Sequence, residues 1–127
     1  LPTFTWEVLV KNQAWQRHER EVQELLDLSP TITSGNKWHD PGDGVDRGHY
    51  SEKKFPLIID CKSTIHRSYS VKLDDLEEWA YKADEMGKRF AMPIRFHPKP
   101  YVAPPSDYIL LSLNDFAELL QAARDGK

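Results

Sequence analysis

The stretch FPLIIDCKST (residues 55–64) decides the reading of this chain, because its apolar run ends in an aspartate and a lysine two positions apart. Leu57, Ile58 and Ile59 follow a proline and are aliphatic throughout, the pattern of a strand buried on both faces. Side chains alternate along a strand, so Asp60 and Lys62 share one face and Cys61 takes the other. A carboxylate and an ammonium are thus held side by side where a core strand emerges. A strand end can carry such a pair merely as a surface salt bridge, so its meaning depends on what else the chain brings to that place.

The 127 residues fit a single domain, residues 1–127, with enough apolar surface for a real core. Five Phe, five Tyr and four Trp supply large apolar groups, and no apolar run is long enough to cross a membrane. A soluble protein is expected, no secretory signal is visible, and the cysteine usage is compatible with the cytosol. The single cysteine, Cys61, rules out an internal disulfide framework and a cysteine-based zinc site, and reads most simply as a small buried apolar residue. The net charge of −3 argues mildly against bulk attraction to nucleic acid, but the charges are uneven. Lys53, Lys54, Lys62, His66, Arg67 and Lys72 crowd around the strand, whereas Asp74, Asp75, Glu77, Glu78, Asp84 and Glu85 occupy the segment after it.

Helical periodicity runs over residues 12–28, with Trp15, Val22, Leu25 and Leu26 as the apolar stripe and Ser29-Pro30 as the stop. A short β-rich piece, TITSG, leads into residues 36–54, whose density in Gly, Asp and Pro reads as loop or hairpin rather than core. After the core strand and a polar turn, residues 71–87 recur at helical spacing through Leu73, Leu76, Trp79, Ala80 and Ala83, with Ser70 as cap and Gly87 as stop. RFAMPIRF reads as a strand interrupted by proline, DYILLSL as another strand and NDFAELLQAARD as a capped helix. Apolar strands alternating with amphipathic helices predict an α/β fold in layers.

Three features converge on the Asp60–Lys62 strand end. In PGDGVDRG, Gly42, Gly44 and Gly48 permit tight turns that would hold Asp43 or Asp46 beside the strand, although Asp and Gly are also ordinary turn formers. Glu19 falls with Trp15, Val22 and Leu26 on the apolar stripe of the first helix, where a carboxylate needs a partner or must reach to water. Such an oxygen-rich set with a lysine suits Mg²⁺ or Mn²⁺ and phosphodiester hydrolysis. No phosphate-binding Gly-Lys-Ser/Thr loop, zinc-histidine pair or nucleophile elbow offers a competing chemistry.

In this order the residues resemble the PD-(D/E)XK nuclease superfamily, particularly its small phage and archaeal Holliday junction resolvase-like members. The matching motifs are Glu19 in WQRHEREVQELL, Ser34, Gly35 and Asp43 in TSGNKWHDPGDG, and Asp60 and Lys62 in LIIDCKST, with similarity continuing to Phe96. The resemblance implies a restriction-endonuclease-like fold of α/β/α layers around a central mixed sheet. It also implies Mg²⁺-dependent cleavage of DNA, branched DNA in particular, by a homodimer in a bacterial or phage-infected cell. Its metal ligands carry over to Asp43 and Asp60 with the Cys61 carbonyl, Asp46 standing in reserve; its catalytic lysine carries over to Lys62 and its helix-one acid to Glu19. Asp60 stands where glutamate is commoner in the family. Lys53, Lys54, His66, Arg67 and Lys72 are the expected DNA-phosphate contacts. A restriction-like or repair nuclease, and a non-catalytic nucleic-acid-binding domain of the same fold, are the alternative readings.

Overall fold

A computed structural model describes residues 6–30, 44–46, 54–97 and 104–126. In chain order the elements are α1 (Trp6–Leu26), β1 (Gly44–Val45), β2 (Leu57–Ile59), β3 (Lys62–Thr64), α2 (Leu73–Glu85), β4 (Arg89–Phe96), β5 (Ser106–Leu110) and α3 (Leu113–Arg124). The protein is mixed α/β, with an open mixed sheet and three helices. No described helix is long and apolar enough to cross a membrane.

β4 is the centre of the sheet. β2 and β3 both run parallel to it, β5 pairs antiparallel with its other edge, and β1 adds antiparallel to β2. Leu57 stands opposite Arg89 and Lys62 opposite Ile94, so β2 and β3 keep one register against β4 and form a single strand interrupted at Asp60–Cys61. Pro93 accounts for the interruption. The sequence reading placed the proline break in β4 itself, yet β4 runs unbroken through Pro93, which pairs with Ile109 of β5. The ladder N–H groups of Arg89 and His97 donate to the carbonyls of Pro56 and Thr64, each at 2.8 Å. Continued in register, this pattern assigns the Asp60 carbonyl to the N–H of residue 93, which proline lacks. Proline therefore breaks the neighbouring strand rather than its own.

Alternation of the core strand builds two apolar clusters, one on each face. Ile58 joins Val45, Phe90, Met92, Ile94 and Ala83 of α2, with Leu76 and Trp79 packed against them. Ile59 joins Ala91 and Leu28, with Val22 and Leu26 of α1 and Cys61 alongside. Ile58 and Ile59 are fully buried, and each contributes roughly 2–3 kcal/mol of transfer free energy. Trp79 stacks on Phe90 at a centroid distance of 5.2 Å.

The helices differ from the sequence reading in instructive ways. α1 ends at Leu26, where Asp27 takes a left-handed conformation (φ 55°) and the Leu28 N–H donates to the Gln23 carbonyl at 2.8 Å. Leu25, placed on the apolar stripe, is 84% exposed; the buried face follows His18, Val22 and Leu26 instead. α2 is capped at Lys72 without a side-chain hydrogen bond, not at Ser70, and stops at Gly87 (φ 67°) as expected. For α3 the cap is Ser112, whose Oγ accepts from the Asp115 N–H at 3.1 Å. Gly44 is part of a strand and not of a turn. A Cβ there would stand 3.1 Å from the Ile59 side chain, so glycine lets β1 lie flat against it.

Arg95 locks α1 to the sheet. Its guanidinium grips both carboxylate oxygens of Asp107, directly opposite on β5, at 2.7 Å, and reaches Glu21 of α1 at 2.6 Å. The arginine side chain is 6% exposed, whereas both carboxylates are about half exposed. Loss of the arginine leaves anions that water can reach, but loss of Asp107 leaves a buried cation with one partner. Asp107→Ala should therefore destabilise the protein by about 3 kcal/mol, and Arg95→Met by clearly less, in urea unfolding monitored by circular dichroism. Equal costs would show that the cation is not the buried member of the pair.

Candidate active site

Asp60 and Lys62 meet as the strand geometry requires, with Lys62 Nζ 3.0 Å from Asp60 Oδ2. Asp60 is the more buried partner, its side chain 14% exposed against 38% for Lys62. Among the described residues β1 pairs with Ile58 and Ile59 and ends before Asp60. Two cavities of about 260 Å³ each open there, and both are lined by Lys62 and Tyr69. The one toward α1 is completed by Trp15, His18, Glu19, Cys61 and Ser63; the one toward α2 by Asp60, Lys72, Asp75 and Trp79 among others.

Glu19 belongs to this place. Burial raises the pKa of its carboxyl, and the charge of Asp60 raises it further. Glu19 lines the α1-side cavity and Asp60 the α2-side cavity, with Lys62 common to both.

The remaining expected site residues divide. Asp46 is buried, and its Oδ2 accepts the Leu57 N–H at 2.7 Å while its own N–H donates to the Leu57 carbonyl at 2.9 Å. It thereby fixes the entry to β2. Asp43 and Lys53 lie outside the described residues. Cys61 packs into the α1-side cluster, and its thiol is not in a disulfide. Lys72 lines the α2-side cavity, whereas Lys54 lines a different cavity with Phe55, Arg89 and α3, at the other end of β2. His66 and Arg67 are exposed in the turn after β3. Among the described residues no three His, Cys, Asp or Glu side chains form a metal-holding group, so any complete ligand set must draw on more than these.

Sequence reasoning missed the polar cluster beneath the site. His18 is 1% exposed, its Nδ1 lies 3.2 Å from Ser63 Oγ, and its buried Nε2 has no hydrogen-bond partner among the described residues. Its spacing with Val22 and Leu26 was the available signal. Burial, with Arg95 next, drives the His18 pKa down from 6.5 to about 4; His97 is lowered by the same causes. Asp107 and Glu21 oppose this only in part for His18. The imidazole is therefore neutral at physiological pH.

A histidine whose folded pKa is depressed takes up its proton more readily when unfolded, so stability is complete above the unfolded pKa and falls as pH drops. Between pH 6.5 and 4 His18 should remove on the order of 3 kcal/mol of stability. Urea titrations across that window should show the loss, and His18→Gln should flatten most of it, leaving a residue from His97. An unchanged slope in His18→Gln would show that the imidazole is not the group responsible.

Compared with known protein families, curated proteins and solved structures, the chain matches none.

Proposed function

We propose that this protein is a Mg²⁺- or Mn²⁺-dependent endonuclease that hydrolyses DNA phosphodiester bonds. In this reading it is selective for branched substrates such as the four-way junction, has restriction-endonuclease-like layers and acts as a homodimer. The observation that supports the reading is the half-buried Asp60–Lys62 pair, with Lys62 shared between the cavity that Asp60 lines and the one that Glu19 lines.

The residues fit a hard divalent cation in one specific respect. Burial and then the charge of Asp60 raise the pKa of Glu19, and Lys62 pairs with Asp60 at 3.0 Å. Oxygen donors in excess of positive charge suit Mg²⁺, and Asp43 is the further ligand that the motif implies. Mg²⁺ bound there would polarise a phosphoryl oxygen and acidify a coordinated water. The chain's own groups do the rest. Lys62 is long enough to serve both Asp60 and a phosphate oxygen, so its ammonium can stabilise the negative charge that develops in the pentacoordinate transition state. Glu19, held neutral more readily than an ordinary glutamate, can hold or pass on a proton of the attacking water. Lys72, at the start of α2 and on the rim of the α2-side cavity, is placed to hold an adjacent phosphate. Protein–phosphate contacts release counterions, so affinity should fall steeply with salt despite the net charge of −3.

Lys62→Met separates catalysis from bystander status. It retains much of the apolar stem, so folding and Mn²⁺ binding should persist while single-turnover cleavage of a four-way junction slows by about a hundredfold. Asp60→Asn should lose Mn²⁺ binding in calorimetry. If Lys62 is only the partner of Asp60, its replacement will cost roughly 1 kcal/mol of stability at most and leave the cleavage rate unchanged. Nicked and linear duplexes in the same assay test the preference for branches.

A further inference from the structure

The interruption at Asp60–Cys61 falls on the residues that carry the proposed chemistry, and its cause lies on another strand. β4 supplies ladder donors on one side through alternate residues, as Arg89 and His97 do. The Asp60 N–H still donates to the Ala91 carbonyl, at 3.3 Å, and pairing resumes in the same register at Lys62. The gap is therefore one donor wide, at Pro93. β5 does not need that donor to stay attached, since it pairs with β4 from Met92 through Phe96. A β-branched residue at position 93 would satisfy strand propensity and complete the ladder; proline in a central strand is otherwise disfavoured.

We infer that Pro93 is a positioning residue: by withholding an N–H from the Asp60 carbonyl it releases the Asp60–Cys61 peptide from the ladder and sets how Asp60 and Lys62 present themselves at the sheet edge. The catalytic half of this inference rests on the nuclease reading above. A closed ladder would pull the Asp60 carbonyl toward β4 and rotate the peptide that joins the two charged residues. Proximity effects in catalysis are steep, and a displacement of about 1 Å can cost a hundredfold in rate.

The test uses the full chain with Pro93→Ala, and with N-methylalanine at the same position introduced by semisynthesis, which again lacks the N–H but has no ring. In Pro93→Ala the new amide should exchange as slowly as that of its neighbour Arg95, because it bonds to the Asp60 carbonyl. Junction cleavage should slow by about tenfold to a hundredfold through kcat with KM unchanged. N-methylalanine should restore the rate. A freely exchanging amide at position 93 overturns the inference, as does a protected amide with unaltered kcat, or a rate that N-methylalanine fails to restore. The exchange measurement requires no activity. An unmodified chain that leaves DNA uncut therefore removes the nuclease reading and the catalytic half of the inference, while the amide still decides whether Pro93 opens the ladder.

Discussion

The structure hangs on one register, that of β2 and β3 against β4. It places Ile58 and Ile59 on opposite faces, so each face gets a core for one helix to cover. The same alternation puts Asp60 and Lys62 on the α2 side, and Cys61 and Ser63 on the α1 side. A slip of one position would turn both charges toward Val22 and Leu28 and exchange the faces of the two isoleucines. The ion pair is therefore not an addition to a finished core. Its placement and the packing of the core are a single choice.

The second constraint is how α1 is held, because α1 carries Glu19. Among the described residues its apolar contacts with the sheet are Val22, Leu26 and the following Leu28 against Ile59 and Ala91. Polar contacts join them, through His18 to Ser63 and Glu21 to Arg95. Buried ionic and polar contacts add little net stability compared with apolar packing, but they have only one good geometry. His18 and Glu21 are three residues apart on one helical face, so together they fix both the rotation and the axial position of α1. A helix held by leucines alone could slide by a fraction of a turn at small cost. With these two pins in place, Glu19 has one position relative to Asp60.

Much of this was legible in the sequence, and the failures have physical causes. The same-face pairing of Asp60 and Lys62, the core strand, α2 and the stop at Gly87 follow from period and turn chemistry alone. Glu19 on the inner side of α1 follows from helical spacing. Leu25 was misassigned because a two-leucine run fits either side of a stripe, and only the sheet decides which leucine it covers. His18 was passed over because histidine carries no apolar signal; its hydrogen-bond partner Ser63 and the charges of Arg95 and Asp107 that act on it come from distant parts of the chain. Gly44 read as a turn former because a two-residue strand has no periodicity to detect. Pro93 was recognised as a breaker, but sequence cannot tell which strand loses the hydrogen bond. That depends on which of its neighbours needed the donor.

The Asp60–Lys62 pair differs from an ordinary solvated ion pair at a strand end in what surrounds it. Exposed pairs are nearly neutral in free energy, which is why they are common and interchangeable. Here the carboxylate is mostly buried, a second carboxylate stands close enough to raise its own proton affinity on that account, and the strand beneath is missing a ladder bond. Each of these features costs stability, and Lys62 offsets only part of the charge. A sequence under selection for folding alone could remove all three with one apolar residue at Asp60, a glutamine at Glu19 and a valine at Pro93. Under the proposed nuclease reading, their joint presence within one small region would be stability given up for chemistry, and it says more together than any one of the residues taken singly.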